Sequence, residues 1–242
     1  MISNYLIGCS GYYYPAWKGK FYPKELQPKN WLSYYSSVFN SVELNNTFYK
    51  MPKLLDLQKY AQLTPNTFKF SVKINRHITH VLKLKNSKQL ITDFQNLAHE
   101  GLADKLSFFL FQLPPSFHYN EENLERIINS IPHKINNVIE FRHESWWNDH
   151  VETTLKKLNL TFCNVDFPGL ITRFINTSPL FYLRLHGNPA LFKSSYSQTQ
   201  LQNFRHQFPT NFNTHAVYFN NTYYGAAYKN ALELIKMCQP VL

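Results

Sequence analysis

Eight short apolar segments recur along the chain, and each of them ends in polar or charged residues. Amphipathic helical stretches separate most of these segments, and this alternation is typical of parallel βα units rather than of hairpins. The eight predicted strands cover residues 5–8, 41–45, 68–73, 106–112, 137–142, 160–166, 180–186 and 215–219. In a closed barrel the C-terminal ends of all strands meet on one face. The pattern therefore predicts an α/β fold, a TIM-type (β/α)8 barrel, with its polar side chains gathered at one mouth.

The predicted helices complete seven of the eight units. One helix begins near residues 28–30, and the others cover about 53–63, 87–102, 120–131, 143–158, 197–208 and 226–237. Only residues 167–179 separate the sixth strand from the seventh, so the sixth βα unit is predicted to be truncated. Because no linker or low-complexity tract interrupts the pattern, we expect one domain over residues 1–242.

Bulk properties predict a cytoplasmic protein that does not associate with membranes. No apolar run approaches the ~20 residues that span a bilayer, and the N-terminal residues do not form a signal peptide. The three cysteines, Cys9, Cys163 and Cys238, are too few and too dispersed for a disulfide framework. Cys9 and Cys163 lie near predicted strand ends, where a buried apolar role is favoured over one in the pocket.

The formal net charge of +10 is compatible with several kinds of binding partner. A basic surface can bind nucleic acid, but the lysines are dispersed and no basic arm or zinc finger is present. A small anionic substrate explains the positive charge equally well. A generally lysine-rich composition would also explain it, without any function for the charge. The sequence does not indicate an oligomeric state.

Polar side chains two residues apart on a strand share a face, and four predicted strands carry such a pair. The pairs are Glu43 with Asn45, Glu140 with Arg142, Asn164 with Asp166, and Arg184 with His186. If these faces point to the barrel axis, the crowding of charges separates pKa values and supplies an acid and a base. The alternatives are structural, such as a simple ion pair between Glu140 and Arg142.

We therefore expect an enzyme, a hydrolase, lyase or isomerase, that acts on a sugar acid or a phosphorylated metabolite. Arg142, Arg184 and Lys73 would hold the anion. Glu43 or Glu140 would act as general base and His186 as general acid, with Asp166 as a further catalytic candidate. The histidines His80 and His143 lie in loops, where a histidine is more often solvated or structural than catalytic.

A divalent metal is the alternative cofactor. Glu43, Glu140, Asp166 and His186 are hard ligands that suit Mg²⁺, Mn²⁺ or Zn²⁺, and they predict a metal-dependent phosphodiester hydrolase as the second hypothesis. The neighbouring cations would repel a metal, so a site with no required cofactor is favoured. A nucleic-acid-binding module is the third hypothesis. The GxGxxG, GxxxxGK[ST], HExxH and GxSxG signatures are absent.

Long, unusual strings in the chain resemble the YecE-like family, also called domain of unknown function 72. They are GCSGYYYPAWKGKFYP (8–23), FNSVELNNTFYKMP (39–52), FKFSVKINRHITH (68–80), LFQLPPSF (110–117), IEFRHESWW (139–147), YLRLHG (182–187) and VYFNNTYYGAAYKNA (217–231). The resemblance implies a TIM-type barrel and supplies no reaction. The positions that match its polar motifs are Glu43, Asn45, Lys73, Arg76, His80, Gln112, Glu140, Arg142, His143, Asp166, Arg184, His186, Asn220 and Asn221. Of these we expect ten to bind the substrate, namely Asn45, Lys73, Arg76, His80, Gln112, Arg142, His143, Arg184, Asn220 and Asn221.

Overall fold

The computed structural model describes residues 4–170 and 173–238. Its strands are β1 Asn4–Cys9, β2 Ser41–Leu44, β3 Lys69–Lys73, β4 Leu106–Gln112, β5 Asn137–Glu140, β6 Thr161–Asp166, β7 Leu180–Leu185 and β8 Thr214–Phe219. They form one eight-stranded sheet in the order β1-β8-β7-β6-β5-β4-β3-β2. Every pair of neighbours is parallel, which confirms the predicted barrel.

Helices lie between most of the strands. They are α1 Trp31–Val38, α2 Asn46–Tyr49, α3 Leu54–Gln62, α4 Lys88–Leu102, α5 Glu121–Ser130, α6 Asp149–Lys157, α7 Gln198–His206 and α8 Ala226–Cys238. Local sequence defines where several of them begin, because Asn120, Asn148 and Ser197 accept hydrogen bonds from backbone N–H groups in the first turn. No described helix is both long and apolar enough to cross a membrane.

The predictions for the sixth βα unit and for the helix over 143–158 have different outcomes. The sixth unit is truncated as predicted, since the described parts of the β6–β7 connection, 167–170 and 173–179, contain no helix. The prediction of one continuous helix over 143–158 is wrong. A short 3-10 turn at Glu144–Trp146 comes first, and α6 begins afresh at Asp149 because the Asn148 side chain caps its first turn.

Side chains join β1 to β2, the two edge strands of the sheet. The Tyr35 hydroxyl accepts a hydrogen bond from the Cys9 N–H at 2.7 Å and donates to the Ser41 carbonyl at 3.1 Å. Asn40 adds hydrogen bonds to the backbone of β1 through both ends of its amide. Gly8 permits this approach, since a Cβ there would lie 2.0 Å from the Ser41 oxygen. The nearly closed barrel is thus completed by side chains.

The barrel interior changes character along its axis. Its apolar part is formed by Leu6, Phe108, Leu110, Val138, Cys163, Val165, Leu180, Tyr182, Ala216 and Tyr218. Because successive strand residues alternate between the two faces, these positions define which side chains point inward. The same inward rows continue to Glu43, Lys73, Glu140 and Arg184 near the C-terminal ends. The charged groups therefore lie above an apolar base.

Candidate functional site

Arg184 lies at the centre of a buried ion network. Its Nη2 is 2.6 Å from Oε1 of Glu43, and its Nη1 is 2.5 Å from Oε2 of Glu140. All three side chains are buried, and Nη2 also lies 3.4 Å from the Ser10 hydroxyl. Residues from β2, β5 and β7 thus meet, as the strand-end pattern predicts. Because both terminal nitrogens of Arg184 have protein partners, this guanidinium organises the two carboxylates.

Glu140 has a second cationic neighbour in Arg142, which lies just beyond the end of β5 and pairs with its Oε1 through Nε. Burial by itself would raise the pKa of Glu140, but Arg142 and Arg184 outweigh it and hold that pKa well below its ordinary value. Arg142 also stacks over the Phe167 ring, 4.2 Å from its centroid. Glu140 therefore remains ionised at neutral pH.

His186 is a buried neutral imidazole. Its Nδ1 is 3.0 Å from Nδ2 of Asn220, and its Nε2 is 3.5 Å from Oε1 of Glu140 and 3.3 Å from Nη2 of Arg142. Burial, followed by the two nearby guanidiniums, lowers the pKa of His186 well below its ordinary value. Because the Arg142 guanidinium can only donate, Nε2 is the acceptor of that contact, and the ring proton is assigned to Nδ1, on the side of the Asn220 amide.

Lys73 ends β3 and is 9% exposed. Its Nζ lies 3.9 Å from the centroid of the Phe48 ring. In the described part of the chain this amine has no hydrogen bond or ion pair, because the carboxylates of the cluster are held by arginines. Burial, and then the charge of Arg184, lowers the pKa of Lys73 to about 7.

Gln112 and His80 lie next to Lys73. The Gln112 Nε2 is 3.4 Å from Nε2 of His80, whose Nδ1 lies 2.9 Å from the Thr79 hydroxyl. Burial, and then the charge of Lys73, lowers the pKa of His80 to about 4. Arg76 is exposed on the same loop and also lowers the pKa of His80. Arg76 thus extends the positive side of the mouth toward solvent.

Asn45 connects the ion network to an open cavity. Its Nδ2 donates to the Ser10 carbonyl at 3.1 Å, while its Oδ1 is buried without a hydrogen-bond partner. The cavity has a volume of about 350 Å³ and is lined by Gly11, Tyr12, Tyr13, Tyr14, Leu44, Asn45, Asn46 and Tyr60. The aromatic β1 loop thus forms one wall beside the charged mouth.

The structure does not bring Asp166 into this network. Its carboxylate accepts hydrogen bonds from the Tyr196 hydroxyl at 2.6 Å and from Nδ2 of Asn188 at 3.0 Å. The expectation that Asn164 and Asp166 face the barrel axis is wrong, because Cys163 and Val165 occupy the inward positions of β6. Asn164 instead hydrogen-bonds the backbone of the β6–β7 connection.

His143 and Asn221 also lie apart from the ion network. The His143 ring stacks on His118 with centroids 3.9 Å apart, and its Nδ1 lies 2.8 Å from the Ser145 hydroxyl. The Asn221 amide donates to the Ser194 carbonyl and to Oδ1 of Asn230. These contacts connect loop segments and do not reach the carboxylates.

Sequence reasoning missed Tyr182, which contacts the network from below. Its hydroxyl donates to Oε2 of Glu43 at 2.9 Å and lies 2.7 Å from the Ser71 hydroxyl. Tyr182 stands two residues before Arg184 on the same face of β7, so strand alternation was the available signal. Ser10, just beyond the end of β1, is a second such residue, because its hydroxyl contacts Arg184.

The metal alternative gains no support from this geometry. Among residues 4–170 and 173–238, no three or more His, Cys, Asp or Glu side chains are grouped as ligands. The predicted ligand set is divided because Asp166 faces away from the barrel axis. Arg142 and Arg184 occupy the space around the carboxylates, where a divalent cation would meet like charge.

Together, the parallel barrel and the ion network at its C-terminal mouth define an α/β barrel protein with a preformed polar site. Residues 6–241 match the family described as "Protein of unknown function DUF72". The chain belongs to this family, which confirms the resemblance found in the sequence.

Relatives and solved structures agree with the assignment. The chain is 29% identical over 135 residues to the UPF0759 protein YunF of Bacillus subtilis, covering 52% of this chain and 48% of YunF. It is 30% identical over 117 residues to the UPF0759 protein YecE of Escherichia coli, covering 48% of this chain and 43% of YecE. The matches thus span about half the length of these curated relatives or less.

Two crystal structures of DUF72 family proteins share the fold. The protein from Thermotoga maritima is 32% identical with a TM-score of 0.86, covering 97% of this chain and 98% of that chain. The protein from Enterococcus faecalis is 20% identical with a TM-score of 0.81, covering 98% and 96%, and this match supports the fold alone. None of these descriptions names a reaction or a ligand.

Proposed function

We propose that the barrel mouth binds a small anion, such as a sugar acid or a phosphorylated metabolite, and transfers protons on it. The observation that carries this proposal is a charge imbalance. The arginines at the mouth, Arg76, Arg142 and Arg184, outnumber its carboxylates, Glu43 and Glu140, and Lys73 adds a further positive charge whenever it is protonated. A carboxylate or phosphate group of a ligand would supply the missing negative charge.

The ligand contacts are assigned to Arg142 and Lys73. Both terminal nitrogens of Arg184 are engaged by Glu43 and Glu140, so we treat it as a positioning residue. The Arg142 side chain and Lys73 are each 9% exposed, which leaves both in reach of a ligand entering from solvent. An anion held between them would also lie beside Nε2 of His186.

His186 is the best-supported proton-transfer group of this site. Its neutral ring places Nε2 beside Glu140 and Arg142, where it can relay a proton to or from a bound ligand. Glu43 and Glu140 both accept hydrogen bonds from Arg184, and the lowered pKa of Glu140 makes it a weak base. The role of either glutamate as general base consequently has less support than the role of His186.

Anion-dependent thermal stability tests the proposal. We expect inorganic phosphate or gluconate, compared with chloride at equal ionic strength, to stabilise the protein by about 2.7 kcal/mol at a hundred times the Kd. Arg142→Met should lose most of this stabilisation. Arg126→Met removes the same charge from helix α5, where Arg126 pairs with Glu122, and should retain it. No stabilisation by either anion, or equal loss in both variants, would overturn the proposal.

Binding of a single-stranded nucleic acid is a second candidate, and a rim of exposed tyrosines favours it. Tyr13 follows β1, Tyr49 follows β2, and Tyr223 and Tyr224 follow β8, so all four lie at the mouth and each is more than half exposed. Bases stack on such rings when cations hold the backbone. Fluorescence anisotropy with an oligo-dT at low salt tests this candidate. Binding unaffected by Tyr49→Ala and Tyr224→Ala, or absent altogether, would exclude it.

We also propose a cytoplasmic location. All three cysteines are free thiols, with Cys9 and Cys163 buried, and this state fits a reducing compartment. Fractionation of cells that produce the protein tests it, and recovery from an exported fraction would contradict it.

A further inference from the structure

We propose that Lys73 is a nucleophilic amine that forms an imine with the carbonyl carbon of an anionic aldehyde or ketone. The inference rests on the proposed anion site and adds a covalent step to it. It also narrows the substrate class, from small anions in general to anions that carry a carbonyl group.

The position of Lys73 carries the argument. Lys73 follows Ser71 on the inward face of β3, and the Ser71 hydroxyl meets Tyr182 inside the barrel. The Lys73 Nζ contacts the face of Phe48 on one side, while the carboxylates of the cluster are held by arginines. A lysine that served only to neutralise charge would lie against a carboxylate. This amine is instead desolvated, unpaired and next to another cation.

Those surroundings favour the neutral, nucleophilic form of a lysine. Four ionisable groups influence the pKa of Lys73, namely Arg184, Glu140, Glu43 and Arg142, and His80 lies on the neighbouring loop. Burial and the arginines together outweigh the glutamates, in agreement with a pKa of about 7 for Lys73. At pH 7 about half of this amine is neutral, compared with about one in 2,500 for an ordinary lysine.

The proposed chemistry needs no redox partner. The Nζ lone pair attacks the carbonyl carbon, a C–N bond forms, and the carbonyl oxygen takes up a proton as the nitrogen loses one. The resulting carbinolamine expels its hydroxyl group as water while the C=N bond forms. One amine and one carbonyl thus give one imine and one water. Arg142 would hold the substrate anion, and both protons that leave with the water come from the neutral amine, with Nε2 of His186 placed to relay them.

Reductive trapping tests the inference. The protein is incubated with sodium cyanoborohydride and one of three probes, namely pyruvate, dihydroxyacetone phosphate or neutral dihydroxyacetone, and the adduct is located by peptide mapping. An amine of lower pKa is a weaker nucleophile, and this offsets part of the rate that Lys73 gains from its larger neutral fraction. We expect labelling of Lys73 to exceed that of any other lysine by about tenfold or more at pH 7, with one or both anionic probes ahead of dihydroxyacetone.

Matched variants separate the roles. Lys73→Arg keeps the charge but not the primary amine, so it should lose the adduct and keep the stabilisation by phosphate. Lys69→Arg alters a lysine on the same strand, near its other end, and should be labelled like the parent protein. The peptide map of the parent protein locates the adduct even if Lys73→Arg fails to fold.

Two outcomes overturn the inference. Adducts spread evenly over the lysines, or no adduct at Lys73 with either anionic probe, would show that this amine is not the nucleophile. If phosphate still stabilises the protein through Arg142, the proposed function survives that result. Labelling of Lys73 that is equally fast with dihydroxyacetone supports the nucleophile but removes the anion requirement, and with it the proposed function.

Discussion

Replacing Lys73 with methionine should stabilise the protein below neutral pH. The pKa of Lys73 falls from 10.5 to about 7 on folding, and each pKa unit corresponds to about 1.4 kcal/mol. A protonated Lys73 therefore lowers the free energy of unfolding by up to about 5 kcal/mol. Methionine fills nearly the same volume against Phe48 and carries no charge, so Lys73→Met should gain about 2–5 kcal/mol at pH 6.

The pH dependence gives the sign of this effect. The unfolded chain holds the Lys73 proton up to about pH 10.5, whereas the folded protein holds it only up to about pH 7. Between these values the unfolded state binds more protons, so the parent protein becomes more stable as pH rises. Below pH 7 both states are protonated and the full destabilisation remains. The advantage of Lys73→Met should therefore be greatest at pH 6 and decline steadily toward pH 10.

Urea unfolding at pH 6, 7.5 and 9.5, monitored by tryptophan fluorescence, measures the difference in free energy of unfolding between Lys73→Met and the parent protein. Lys69→Met is the matched control, because Lys69 begins β3 and hydrogen-bonds the Asp104 carbonyl far from the buried charges. If Lys73→Met is no more stable than the parent protein at pH 6, or if its advantage grows with pH, then Lys73 is not a desolvated amine.

Three further substitutions test the network and the edge of the barrel by urea unfolding. Glu140→Gln should lower the free energy of unfolding by about 3–5 kcal/mol, because two buried guanidiniums lose their shared carboxylate; a loss below 1 kcal/mol would contradict this. Because folding lowers the pKa of Glu140, its carboxylate stabilises the fold above its ordinary pKa of 4.5, and this stabilisation is lost as pH falls below that value. The variant lacks this carboxylate and should therefore lose stability less steeply at acid pH. Tyr35→Phe should cost about 1–3 kcal/mol through unsatisfied backbone groups of β1 and β2, and an unchanged unfolding midpoint would refute that role. Gly8→Ala should cost about 1–3 kcal/mol or more, since its Cβ would meet the Ser41 oxygen; parent-like stability would show that the strands separate easily.

Strand periodicity predicted the central charged residues of the site because these polar pairs stand two residues apart on their strands. Glu140 and Arg142, like Arg184 and His186, project into the barrel mouth. The same rule failed for Asp166 because periodicity says which side chains share a face, and not which face points inward. On β6 the less polar Cys163 and Val165 face the axis. The β6–β7 connection supplies backbone partners for Asn164, and the loop after β7 supplies Tyr196 and Asn188 for Asp166.

The sequence could not predict which side chains pair with each other in the ion network. Arg184 was expected to hold a substrate, yet its two terminal nitrogens meet Glu43 and Glu140. Which cation pairs with which carboxylate depends on strand stagger and side-chain reach, and no local pattern encodes either. The unpaired state of Lys73 is a consequence of those pairings, so it emerges only in three dimensions.

The barrel itself does not require this arrangement. Apolar side chains fill the lower interior, and such packing suffices for the fold. Buried ion pairs add little net stability compared with apolar side chains of similar volume, because desolvation offsets their attraction. Pairing accounts for Glu43, Glu140 and Arg184, but it leaves the charge of Lys73 unmatched. A residue that lowers stability and has no ion-pair partner is explained by the proposed ligand, and the excess of arginine charge at the mouth favours an anion for that role.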